Sequence, residues 1–203
     1  MHNSHNDKAC PIYPDVTGVL LAGGQSRRMG RDKALIDLDG EKLFCRSLKL
    51  LQRYFPSVLI AGARPDLAQP GVEIVADTFP GSALGGLHTG LQKARTDWIF
   101  VAPCDLPFPD GRLVEMLLAL RDGVDAVVPR TPKGYEPVFA AYHRNCLPHM
   151  EAMLSHNQHR IYDFYQRIAI RYLDWTRMPE GWEQALLNLN TPEQLAMIRK
   201  ETP

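Results

Sequence analysis

Three guanidinium groups and an ammonium, on Arg27, Arg28, Arg31 and Lys33, crowd into one short stretch just after the paired glycines Gly23 and Gly24. A turn built on glycine has no Cβ in the way, so a ligand can approach its main-chain N–H groups closely. Amides that cradle oxygens, beside cations that offset their charge, supply what a polyphosphate needs. The Walker pattern is absent, because Arg31 follows Gly30 and the Gly24–Gly30 spacing is too long; Gly-x-Gly-x-x-Gly is absent too. Carboxylates and amides stand far from these cations in sequence. Asp105 lies in Ala102-Pro103-Cys104-Asp105-Leu106-Pro107, just past an apolar run. A carboxylate there, facing a cationic loop, suits Mg²⁺, which takes one or two carboxylates and completes its octahedron with phosphate oxygens and water. Asp77 also closes an apolar run, where turn formation explains it as well as ligand binding does. Asn188 and Asn190 alternate, so on a strand both would point to one face. Thr191, Pro192 and Gln194 then read as a helix start, with an N-cap, a first-turn proline and a capping box.

Hydrophobic periodicity predicts the elements that must position these groups. Short buried strands are expected at Val16–Ala22, Val58–Ala61, Val72–Ala76, Trp98–Pro103, Ala126–Val128 and Val138–Tyr142. Helices are expected over Glu41–Tyr54, from the glycine-rich turn Pro80–Leu87 through about Ala94, and after Asp110 with Leu113, Leu117 and Leu120 pointing inward. The alternation of strand and helix predicts an open, mostly parallel sheet with helices on both faces. In such sheets ligands bind beyond the carboxyl ends of the strands, where Gly23, Asp77 and Asp105 all fall.

A chain of 203 residues suits one domain, read as residues 15–203 behind a polar, mobile leader at 1–14. The formal net charge of +0 argues against nucleic acid as a partner, so the cations around Arg28 are a local feature suited to a small anionic ligand. Cys10, Cys45, Cys104 and Cys146 show no metal-ligand spacing, and no signal peptide or long apolar run is visible. They are read as free thiols of a cytoplasmic protein without a membrane partner. His143, His149, His156 and His159 lack a carboxylate at zinc-site spacing, and Trp175 and Trp182 read as packing residues.

The run Leu21-Ala22-Gly23-Gly24-x-Ser26-x-Arg28-Met29-Gly30-x-Asp32-Lys33 closely resembles the opening signature of the molybdenum cofactor guanylyltransferases. The resemblance extends over roughly residues 18–200 and is thinnest at 145–184. It implies a Rossmann-like three-layer α/β sandwich of the nucleotidyltransferase type. It also implies transfer of GMP from GTP to the terminal phosphate of molybdopterin, with release of pyrophosphate. On that resemblance Leu21, Ala22, Gly23 and Gly24 lie along the nucleotide, Asp77 contacts it, and Asp105 holds Mg²⁺. Lys33 and Arg28, with Arg27, offset charge on the departing pyrophosphate. Asn188 and Asn190 belong to the active-site rim, and Glu136-Pro137-Val138-Phe139-Ala140 to the acceptor side. Molybdoenzymes or cofactor-insertion proteins are the implied downstream partners. Two departures stand out: Ala83 replaces a usual proline in the second glycine-rich turn, and Ala61 replaces an asparagine found near the nucleotide in some members. A related transferase using CTP or a sugar phosphate, and a non-catalytic nucleotide or pterin carrier, are the competing readings.

Overall fold

In the computed structural model of the chain, residues 10–23 and 32–201 are described. The first strand, β1 (Val16–Leu21), is buried along its whole length because it is paired on both edges. After it, Asp37–Leu38 (β2) and Glu41–Lys42 (β3) form a small hairpin whose turn residues Asp39 and Gly40 both have positive φ, as a type I′ turn requires. This hairpin takes the residues expected to begin the first helix, so α1 spans Leu43–Tyr54. Then follow β4 (Ser57–Ala61), β5 (Glu73–Val75), α2 (Ala83–Lys93), β6 (Trp98–Pro103), α3 (Gly111–Leu118) and β7 (Ala126–Thr131). The chain continues through β8 (Gly134–Tyr135), β9 (Ala140–His143), α4 (Leu147–Ser155), β10 (Ile170–Asp174), α5 (Trp182–Ala185) and α6 (Pro192–Glu201).

The main sheet runs β10-β7-β9-β6-β1-β4-β5, with β8 hung on β7. Five of its strands, β5, β4, β1, β6 and, across β9, β7, run one way; β10 joins them parallel to β7. Only β9 and β8 oppose them. The sheet is thus mostly parallel, as expected.

Alternation along the strands builds two cores. Val16 and Leu20 of β1, with Phe100 and Ala102 of β6, face Phe44, Leu48 and Leu51 of α1 and Leu113 and Leu117 of α3. Val19, Leu21, Ile99 and Val101 face Leu84, Leu87 and Leu91 of α2 and Met150 and Met153 of α4. A helix layer therefore covers each face. The third, smaller cluster joins Leu195 and Ile198 of α6 to Ile36, Leu38 and Leu43.

Several local expectations shift. The strand expected from Val138 begins at Ala140, because a turn closed by Phe139 N–H to the Glu136 carbonyl holds Val138 out of the sheet. Leu120 lies past the end of α3 yet still packs against the core. The segment at 188–190 is not a sheet strand. Both α4 and β10 fall in the stretch where the family resemblance is thinnest. Of the expected leader, residues 1–9 lie outside the described residues. Tyr13, however, is docked: its N–H bonds the Tyr54 carbonyl at 2.9 Å and its ring stacks on Tyr54. All four cysteines are free thiols, and among the described residues no helix is long and apolar enough to cross a membrane.

Candidate active site

Three parallel strands deliver their carboxyl ends to one place. Ala22, leaving β1, donates its N–H to the Ala61 carbonyl at the end of β4, and Gly62 donates to Val75 at the end of β5, each at 2.9 Å. Gly62 must be glycine here. Its φ is +128°, and a Cβ would stand 3.0 Å from the Gly23 nitrogen. The floor made this way opens into a pocket of about 290 Å³ lined by Leu21, Ala22 and Gly23 on one side. Helix α2 brings Ser82, Ala83 and Gly86 to the wall, its first turn held by the Ser82 hydroxyl accepting from Gly85 N–H at 3.1 Å. Phe79 is the reason for Gly85, since a Cβ there would lie 1.8 Å from the Phe79 carbonyl oxygen.

Lys33 and Asp105 meet across this pocket. Lys33 opens a short 3₁₀ turn that Asp32 caps by accepting from Ala34 N–H. The Lys33 Nζ lies 3.5 Å from Asp105 Oδ2 and donates to Asn190 Oδ1 at 2.5 Å. Asp105 follows β6, and its main-chain carbonyl accepts the Leu189 N–H at 3.1 Å. That bond turns the segment at 188–190 toward the pocket, which Asn188 and Asn190 both line although no strand carries them. The capping box forms as expected: Thr191 N–H donates to Gln194 Oε1 and Gln194 N–H to Thr191 Oγ1.

Burial raises the Asp105 carboxyl above the ordinary aspartate range, outweighing the pull of the Lys33 ammonium and its hydrogen bond. Burial also pushes the neighbouring Cys104 thiol up to about 12, so it is no thiolate nucleophile at neutral pH. Asp77 stands just behind the floor. Its Oδ2 is 3.0 Å from where a Gly23 Cβ would be, and its Oδ1 is 3.9 Å from where a Gly86 Cβ would be. Burial raises Asp77 as well, with the Thr89 hydroxyl pulling it partly back, and its Oδ1 is buried without a hydrogen-bond partner.

Leu21, Ala22, Gly23, Lys33, Asp105, Asn188 and Asn190 line one pocket, with Asp77 just behind its floor. Gly24, Arg27 and Arg28 lie outside the described residues. Two charged contributors, Asp32 and Arg64, received no role from sequence. Asp32 pairs with Arg64 at 2.7 Å, and Arg64 in turn holds Asp66 at 2.7 Å and reaches the Ala22 carbonyl at 3.4 Å. Val138, of the segment read as acceptor-side, also lines the pocket. The signal for Arg64 was present: it follows the strand-end glycine Gly62, at the same rim that singled out Asp77 and Asp105.

The donor set fits a magnesium ion. Asp105 and the buried, unpartnered amide oxygen of Asn188 are hard oxygen ligands lining one pocket. Among the described residues no cluster of three His, Cys, Asp or Glu side chains could hold a metal unaided.

Glycine-floored strand ends, a lysine and a carboxylate at one rim of an open parallel sheet define an α/β protein of the nucleotidyltransferase type. Residues 18–171 match the MobA-like NTP transferase domain. The chain belongs to that family. It is 36% identical over 185 residues to the molybdenum cofactor guanylyltransferase of Vibrio atlanticus, spanning 89% of this chain and 93% of that one. The Vibrio cholerae protein of the same name is 34% identical, spanning 91% of each chain. Molybdopterin-guanine dinucleotide biosynthesis protein A of Archaeoglobus fulgidus shares the fold with a TM-score of 0.79, at 22% identity over 91% of this chain and 97% of that one.

Proposed function

We propose that the protein transfers GMP from GTP to the terminal phosphate of molybdopterin, releasing pyrophosphate and forming molybdopterin guanine dinucleotide. The observation that carries this reading is the Lys33–Asp105–Asn190 contact inside a pocket floored by Leu21, Ala22 and Gly23. A nucleotide laid along that floor has the Asp77 carboxylate behind it and its phosphates toward Lys33. An acceptor phosphate oxygen attacks the α-phosphorus, that bond forms as the bond to the β-phosphate oxygen breaks, and the electron pair leaves with pyrophosphate. Positioning and charge compensation are the main demands of such a step. Lys33, with Arg28 and Arg27, offsets charge on the leaving group. Asp105, with Asn188, would hold Mg²⁺, which supplies Lewis-acid neutralisation of the phosphates when bound. With Cys104 held as a thiol and Ser26 without an assigned role, no covalent enzyme intermediate enters.

A nucleotide panel with molybdopterin as acceptor and Mg²⁺ present tests the reading through pyrophosphate formation. Release with GTP, and only when the acceptor is supplied, is the expected outcome. Preference for CTP or a sugar phosphate would reassign the substrate, and GTP binding without pyrophosphate release would make the protein a carrier. Asp105→Asn should lose metal-dependent turnover while its circular dichroism spectrum stays native, and normal turnover by that variant would remove Asp105 from the chemistry.

A further inference from the structure

A second cleft, of about 460 Å³, is lined by Tyr135, Tyr162, Asp163, Tyr165, Gln166 and Tyr172. Four tyrosines from three segments converge there: the β7–β8 hairpin, the 3₁₀ stretch Ile161–Arg167, and β10. Tyr135 stacks on Tyr172 at 5.0 Å and 22°, meets Tyr165 edge-on at 5.9 Å, and lies 6.3 Å from Tyr162. Tyr135 and Tyr162 are 40% and 46% exposed, so ring surface is left facing water beside a packed aromatic base. The base is tied to the active site. Tyr142 donates to the Pro137 carbonyl at 2.8 Å and pairs with the Tyr165 hydroxyl, also at 2.8 Å. One residue further on, Val138 lines the first pocket. From Tyr135 to Val138 the chain spans at most about 11 Å.

Sheet order separates the two clefts in a telling way. Gly23, Arg64 and Asp77 belong to the β1-β4-β5 flank, Asp105 ends β6, and the tyrosines belong to β7, β8 and β10 beyond it. Because β7 and β10 run with β6, the hairpin leaving β7 emerges at the same rim as Asp105. From these placements we infer that the tyrosine cleft binds the fused heteroaromatic ring of the acceptor, on the side of Asp105 opposite the nucleotide. Exposed phenol faces stack a planar ring, and the carboxylate of Asp163 and amide of Gln166 at the edge complement an amino-pyrimidinone's N–H and C=O groups. Guanine carries the same edge, but the nucleotide's own floor lies on the other flank. This inference rests on the acceptor being a pterin, as proposed above.

Steady-state kinetics on Tyr135→Ala, Tyr162→Ala and the matching Phe variants test it, with acceptor and GTP varied in turn. Loss of a ring should raise KM for molybdopterin about tenfold, the scale of one lost stack, and leave KM for GTP in place. The Phe variants should keep wild-type KM, because the ring and not the hydroxyl does the stacking. An unchanged acceptor KM in the Ala variants, or a rise in KM for GTP instead, would overturn the assignment. Binding of pterin-6-carboxylate, followed by equilibrium dialysis without GTP, separates this inference from the activity. Binding by the wild-type chain that Tyr135→Ala abolishes supports the cleft even where no transfer is seen. Equal binding by both proteins, or none by the wild type, refutes it.

Discussion

Asp77 and Asp105 each carry a carboxylate into a partly buried position, and burial raises both above the ordinary aspartate range. For Asp77 the consequence is open to measurement without any ligand. The folded chain holds that proton more tightly than the unfolded chain. Stability is therefore lost as pH rises from the ordinary aspartate range through the raised value, and at neutral pH the ionised group is a net cost. Asp77→Asn should melt at a higher temperature than wild type at neutral pH in the nucleotide-free protein. That gain should fade in the acid range, where both side chains are neutral, while KM for GTP rises. A calorimetric pH series checks this, and a difference in melting temperature that does not vary with pH would contradict it. Under the proposed reaction, Lys33 bears on the rate. Lys33→Ala should lower kcat by about 3 kcal/mol in barrier, the scale of a lost preorganised electrostatic donor, as read from single-turnover pyrophosphate release. Neither residue's role was visible from its type alone. Asp77 fits a turn as well as a ligand contact until Gly23 and Gly86 are seen beside it.

At the scale of elements, α2 shows how local rules serve the site. Ser82 caps the helix and lines the pocket at once, so its hydroxyl is both a backbone partner and a wall. Ser82→Ala should destabilise the fold by about 1 kcal/mol in urea unfolding, the usual cost of a lost N-cap. The Ala83 that replaces the family's usual proline leaves the helix intact, because the cap and the glycines that follow set its start. Strands β1 and β6 were legible from end to end, since central strands buried on both faces read as continuous apolar runs. The β9 direction was not. Antiparallel insertion between β6 and β7 depends on which strands it pairs with, and no local pattern in Ala140–His143 states that. Asn188 and Asn190 line the pocket without a sheet strand, because alternating asparagines describe an extended chain whether or not it joins a sheet.

Over the whole molecule, the last helix supports the segment that follows Lys33. Leu195 and Ile198 pack on Ile36, Leu38 and Leu43, and Asn190 just before the helix takes the hydrogen bond from Lys33, 157 positions away in sequence. Leu195→Ala should cost about 3 kcal/mol of stability as a buried large-to-small change, measured by denaturant unfolding. Under folded conditions it should also raise KM for GTP, because the segment at 188–190 loses its anchor. A stability loss with unchanged KM would show that the loop keeps its place without this helix.

By itself the sequence determined the strand–glycine–cation run, the acid after β6, the capped final helix and the α/β class. These depend on periodicity and turn chemistry within a few residues, which a linear reading captures. Only the tertiary structure decided that Lys33, Asp105 and Asn190 share one pocket, that Arg64 braces Asp32 against the Ala22 carbonyl, and that four tyrosines from three segments form one cleft. Those juxtapositions depend on strand order and direction, which long-range pairing and the burial of two helix-covered faces select.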